Sequence, residues 1–230
     1  MRMLDLFSGI GGFALAASWV WGDELDIAAF CEIDPFCQKV LQKHWPDVPI
    51  IEDIREYKHN GTAINLVTGG YPCQAFSNAS HGRIIASDLS PFMLQIIKTI
   101  QPKFVVAENV IAKTIYDFRR CMENNGYAAS VYNIDAYGFG ADHIRSRWWC
   151  VAHADNKSKL QSRIYEEVAI MRKIFKTAWS KENYTRTLRV YDGIPHRVDR
   201  LKSLGNAIVP QCVAPIMEAI KTLQKTADGA

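Results

Sequence analysis

An α/β fold built on a mainly parallel, doubly wound sheet is what this sequence predicts, and three observations predict it. Short, near-continuous apolar runs alternate with segments of helical period along the first half of the chain. A glycine-rich turn, Ser8-Gly9-Ile10-Gly11-Gly12, separates the first run from the first helix. Polar residues gather where the runs end, and in open α/β sheets the carboxyl ends of the strands are where ligands bind.

The elements follow in order. Met3–Phe7 reads as the first strand, and an apolar helix starts at Phe13. Ile27–Cys31 is the second strand, closed by Glu32-Ile33-Asp34-Pro35 ahead of a helix carrying Phe36, Val40 and Leu41. Val48–Ile51 is the third and stops at Glu52-Asp53, while Ile64–Thr68 is the fourth and runs into Gly69-Gly70-Tyr71-Pro72-Cys73. A helix over Pro91–Ile100 places Phe92, Met93, Ile96, Ile97 and Ile100 on one face. Phe104–Ala107 is the fifth strand and ends in Glu108-Asn109. In His143–Trp149, alternation puts His143, Arg145 and Arg147 on one strand face and Ile144 and Trp148 on the other. Beyond Ala152 comes a polar loop, then a helix over Ser162–Lys176, an irregular stretch from Trp179 to Arg197, and a helix over Val209–Leu223 with Pro210 at its start.

Composition sets the class. With 230 residues, 48% hydrophobic and 22% charged, the chain is expected to be globular, with a core large enough to need neither disulfides nor metal. No apolar run approaches the ~18 residues of a membrane span, and Asp5 and the glycines interrupt any secretory segment. The expected setting is the cytoplasm, with the six cysteines reduced. Their spacing contains no zinc pattern, so no metal is expected. Net charge is +3, yet residues 1–110 carry −4 and residues 111–230 carry +7. The 157–202 stretch has 12 basic and 5 acidic residues interleaved with Tyr165, Phe175, Trp179, Tyr184 and Tyr191. Such a stretch is either a polyanion-binding surface or a solvated helical face.

Asp5, Glu32, Asp53, Cys73 and Glu108 all sit at or near strand ends, so five elements would deliver polar groups to one edge. The glycine turn permits close approach to a ligand, or is a plain strand–helix connection. It lacks the third glycine of a dinucleotide fingerprint and any P-loop lysine, which favours a nucleoside without a triphosphate. Cys73, in a Gly/Pro loop, is a positioned nucleophile or a loop residue. Glu108, leaving a buried strand, is a carboxyl with a raised pKa or a helix N-terminal acid.

The ordered set DLFSGIGGF (5–13), EIDP (32–35), EDI (52–54), GGYPCQAFS (69–77), ENV (108–110), HIRSR (143–147) and RLKSLGNAIVPQ (200–211) resembles the DNA cytosine-C5 methyltransferases in content and order. The resemblance implies an S-adenosylmethionine-dependent fold with a small target-recognition segment. Residues 1–153 would form the cofactor and catalytic domain, 154–197 a short recognition region, and 198–230 a return to the catalytic domain. It places Phe7, Ser8, Gly9, Gly11 and Gly12 around the cofactor, Glu32 on the ribose beside Ile33, and Asp53 and Ile54 at the adenine. Pro72 and Asn206 complete that set. Cys73 becomes the nucleophile, Glu108 the group at cytosine N3, and Arg145 and Arg147 the helpers at the base. The implied partner is double-stranded DNA, met by a monomer, with a companion restriction endonuclease acting separately. Rival readings are a DNA-binding relative without catalysis, the same chemistry on RNA, and, more remotely, a nicotinamide dehydrogenase.

Three departures from the family pattern stand out. His143 replaces the usual glutamine, the loop over 78–90 is reduced, and the recognition region has only 44 residues. The last implies a module that reads few bases.

Overall fold

The computed structural model describes residues 1–72, 88–155, 159–178 and 197–228. Cys73, the 78–87 part of the reduced loop, and 179–196 of the basic stretch lie outside the described residues. Seven strands form one sheet: β1 (Arg2–Leu6), β2 (Asp26–Cys31), β3 (Ile50–Ile51), β4 (Leu66–Gly69), β5 (Phe104–Asn109), β6 (Ala128–Asp135) and β7 (Ser146–His153). Their spatial order is β3-β2-β1-β4-β5-β7-β6. The pairs among β1 to β5 are parallel, and β7 runs antiparallel to both β5 and β6. Strand order reverses at β1/β4, so a crevice opens at the carboxyl ends there.

Helices cover both faces. They are α1 (Gly12–Trp21), α2 (Pro35–His44), α3 (Ser90–Ile100), α4 (Ala112–Asn124), α5 (Leu160–Ala178), α6 (Arg197–Asn206) and α7 (Pro210–Asp228). Proline at the first turn and the Asp34 carboxylate, which accepts from Phe36 N at 2.9 Å, start α2. On one face α1, α5 and α7 bury Phe13, Ile164, Val213, Ile216 and Ile220 against Met3, Leu66, Phe104 and Trp149. Phe13 meets Trp149 edge-on, with centroids 5.9 Å apart. On the other, α3 and α4 bury Met93, Ile97, Ile115, Phe118 and Met122 against Leu4, Leu6, Val67 and Val105. The 154–197 segment therefore opens with a helix built into the main core, Leu160 and Ile164 being buried there. No helix among the described residues is long and apolar enough to cross a membrane.

Two expectations change here. β7 begins at Ser146, so His143 and Arg145 precede the strand and do not share a strand face with Arg147. Asp5 lies within β1, fully buried, rather than at the ligand edge. Its Oδ1 accepts from Thr68 Oγ1 at 2.6 Å, while Oδ2 has no hydrogen-bond partner. Burial, aided by the nearby Glu32 charge and opposed by the Thr68 bond, pushes its pKa up to about 7. A folded pKa above the unfolded 3.8 means that the native state holds an extra proton between the two values. Stability is thus lost as pH rises toward about 7. Asp5→Asn keeps the acceptor for Thr68 and removes the charge. The variant should melt above wild type at alkaline pH, with the gap closing in acid; a gap independent of pH would show that Asp5 is not the group responsible.

The glycine turn is shaped by packing more than by a ligand. Gly11 has φ +85°, and a Cβ there would lie 2.5 Å from the Trp45 ring. At Gly12 it would lie 2.6 Å from the Ile208 side chain. Gly11→Ala should cost roughly 2–4 kcal/mol, combining left-handed strain with overpacking, read as a lowered melting temperature. An unchanged melt would contradict the geometry.

Candidate active site

A cavity of about 760 Å³ opens at the carboxyl ends of β1, β2, β4 and β5 and reaches the end of α6. Its size suits a small-molecule ligand. From the turn after β1 come Phe7, held at φ 55°, and Gly9. From the end of β2 come Glu32, Ile33 and Asp34; from the segment after β3, Asp53 and Ile54. Pro72 lies past β4, Glu108 is the last residue but one of β5, Arg147 is the second of β7, and Asn206 ends α6. Ten of the candidate site residues named from the sequence, all of these except Asp34, thus meet in one place.

Four do not. The Ser8 hydroxyl donates to Asp5 O at 2.7 Å and accepts from Cys31 N at 3.2 Å, locking β1 to β2. Gly11 and Gly12 face Trp45 and Ile208, and neither glycine is on the cavity wall. Arg145 is also off the wall, and its Nη2 donates to Gly205 O at 2.7 Å and to Ala207 O.

The carboxylates differ sharply. Glu32 Oε2 accepts from Gly9 N at 2.7 Å and Oε1 from Asp34 N at 2.8 Å, so two loops fix its plane. Burial raises its pKa and those bonds offset part of the rise. Asp53 accepts hydrogen bonds from the Arg55 side chain and backbone, which hold its pKa down at about 2 and keep it ionised. Glu108 is only 7% exposed. Desolvation lifts its pKa to about 7 against the charges of Arg147 and, less strongly, Arg145. Its Oε1 lies 3.0 Å from Arg147 Nε as an ion pair, without the alignment of a hydrogen bond.

Several contributors were not legible as site residues. A Cβ on Gly70 would stand 3.0 Å from Glu108 Oε2, so this glycine makes room for the carboxyl. Asn109 Nδ2 donates to Tyr71 O at 3.0 Å and Tyr71 OH donates to Thr114 O at 3.0 Å, tying the segment after β4 to β5 and α4. Lys202 Nζ donates to Asp34 Oδ2 at 2.7 Å and Cys37 Sγ meets Ser203 Oγ at 3.5 Å, docking α6 beside the cavity. The Asp34 pair joins residues far apart in the chain, which no local pattern reveals.

Sheet order, crevice and strand-end carboxylates define the fold of the S-adenosylmethionine-dependent methyltransferases. Within that class the chain belongs to the C-5 cytosine-specific DNA methylase family, whose model matches residues 1–202. It is 30% identical over 161 residues to the Type II methyltransferase M2.BsuMI of Bacillus subtilis, covering 64% of this chain and 40% of that one. To M1.HphI of Haemophilus parahaemolyticus it is 32% identical over 172 residues, covering 64% and 44%. The chain therefore spans less than half the length of these two relatives. Among solved structures, the S. pombe Dnmt2 methyltransferase superposes with a TM-score of 0.61 at 21% identity, covering 80% of this chain and 57% of that one. A putative DNA modification methyltransferase from an E. coli prophage gives 0.54 at 24% identity, covering 66% and 46%.

Proposed function

We propose that the protein transfers a methyl group to C5 of cytosine in double-stranded DNA, with S-adenosylmethionine as donor. The observation that carries the proposal is Glu108: a carboxyl poised near neutrality, braced by Arg147, on the wall of the cavity that also contains Phe7, Glu32 and Asp53. The cavity fits the donor. Ile33 is 66% exposed although apolar, and beside Phe7 and the buried Ile54 on the cavity wall it offers an apolar surface for an adenine ring. Glu32 stands at the end of β2, where an acid meets ribose hydroxyls in nucleoside-binding folds. Asn206 closes the cavity from the end of α6. When bound, S-adenosylmethionine supplies an electrophilic sulfonium methyl.

The chain's own residues make cytosine reactive. C5 of cytosine is a poor nucleophile. Addition of the Cys73 thiolate at C6, with a proton passed from Glu108 to N3, turns C5 into an enamine carbon able to accept the methyl. The C5 proton then leaves to solvent, its electron pair re-forms the C5–C6 double bond as the Cys73 thiolate departs, and N3 returns its proton to Glu108. Arg147 orients the Glu108 carboxyl. The base must leave the helical stack for any of this, at a cost of about a few kcal/mol, and the basic 157–202 stretch supplies phosphate contacts that offset it.

The test uses purified protein with methyl-labelled S-adenosylmethionine and two substrates, duplex DNA and transfer RNA. Label recovered as 5-methylcytosine from DNA alone is the expected result. Label in RNA alone would move the same chemistry to the other substrate, and label in neither would overturn the activity.

A further inference from the structure

We infer that Arg145 is a positioning residue that holds Asn206 over the cofactor cavity, and that it does not touch the target base. The inference rests on the reading of this cavity as the S-adenosylmethionine site. The last carbonyls of a helix have no partner within the helix, and a cation at that end satisfies them and complements the helix dipole. Arg145 does this for α6. One guanidinium nitrogen, Nη2, donates to Gly205 O at 2.7 Å and to Ala207 O, the two carbonyls that flank Asn206. Asn206 and Gly205 line the cavity, whereas Arg145 does not.

Arg145 is itself anchored. Its backbone N–H donates to Asp135 Oδ1 at 3.1 Å, and its carbonyl accepts from Ala136 N at 3.2 Å. The clamp thus runs from the end of β6 to the end of α6. Lys202–Asp34 and Ser203–Cys37 hold α6 against the start of α2, and the Arg145 bonds fix the carbonyls on either side of Asn206. Arg147 is placed differently. It lines the cavity and pairs with Glu108, so the two arginines of the His143–Arg147 motif divide the work, one at the helix end and one at the acid. The charge of Arg145 still reaches Glu108, as the weaker of the two arginine influences on that carboxyl.

The experiment titrates S-adenosylhomocysteine calorimetrically into wild type, Arg145→Ala, Asn206→Ala and the double variant. Loss of two charge-assisted hydrogen bonds should weaken binding roughly tenfold or more in Arg145→Ala. Because Arg145 acts through Asn206, the double variant should bind no more weakly than Asn206→Ala alone. In methyl-transfer assays KM for the cofactor should rise about as much as Kd, while kcat at saturating cofactor falls less than threefold. Arg145→Lys, which keeps a cation on a long stem, should recover part of the binding and serves if the alanine variant fails to fold. Unchanged binding, additive losses in the double variant, or a collapse of kcat at constant KM would overturn the inference, the last by returning Arg145 to the base. Wild type that bound no S-adenosylhomocysteine would instead overturn the cofactor reading beneath it, and the clamp's role with it.

Discussion

Cys73→Ser is expected to abolish methyl transfer while leaving cofactor binding nearly unchanged. The cysteine follows Pro72, which lines the same cavity as Glu108 and Arg147. Serine keeps the size and polarity of the side chain but has a far higher pKa, so no anion forms to add to C6 at neutral pH. DNA containing 5-fluorocytosine should trap a covalent adduct with wild type, because fluorine at C5 cannot leave as a proton does. No adduct should form with the serine variant. An adduct formed equally well by both would remove Cys73 from the mechanism. Cofactor affinity should survive because Phe7, Glu32 and Asp53, which build that end of the cavity, come from other strands.

The second large effect concerns Glu108. Four fully buried residues, Phe104 to Ala107, precede it on β5, and that apolar wall is what disfavours its ionisation. Glu108→Gln keeps the volume and a donor but has no proton to transfer. Single-turnover methyl transfer should fall by roughly 10²-fold or more, while cofactor and DNA titrations stay close to wild type. The pH profile adds a signature. With its pKa raised to about 7, the carboxyl is neutral below that value and able to donate; above it the donor is lost. Wild type should therefore lose rate as pH rises through about 7, and Glu108→Gln should lack that limb. Turnover within a few-fold of wild type would make Glu108 structural. Loss of binding together with turnover would mean that it holds the pocket rather than moving a proton.

What could be read from the sequence follows physical lines. Strands β1, β2, β4 and β5 announce themselves because burial keeps their interior positions almost entirely apolar, as in Phe104–Ala107, the buried Asp5 and Thr68 being bonded to each other. Near the far edge, β6 is mostly half-buried and its Ala128–Asp135 sequence mixes Ser130 and Asn133 with apolar residues, so no continuous run marks it. α4 does carry a readable signal, Ile115, Phe118 and Met122 at helical spacing, and all three are buried. Site residues at strand ends were legible because sheet geometry brings such ends together. The misplacements are one or two residues wide. Ser8 turns inward and Gly9 faces the cavity, a difference set by backbone dihedrals inside a six-residue turn. Arg145 and Arg147 share a motif, but β7 starts between them and the two-residue period does not extend past its end. The Asp34–Lys202 bond, spanning 168 residues, depends on how α6 packs and leaves no trace in either segment alone.

Bisulfite sequencing of DNA from cells expressing the chain, beside cells expressing Cys73→Ser, tests the central claim most directly. Conversion-resistant cytosines confined to one short sequence context, present with wild type and absent with the variant, are the predicted result. Complete conversion in both samples, or the same resistant sites in both, would contradict it.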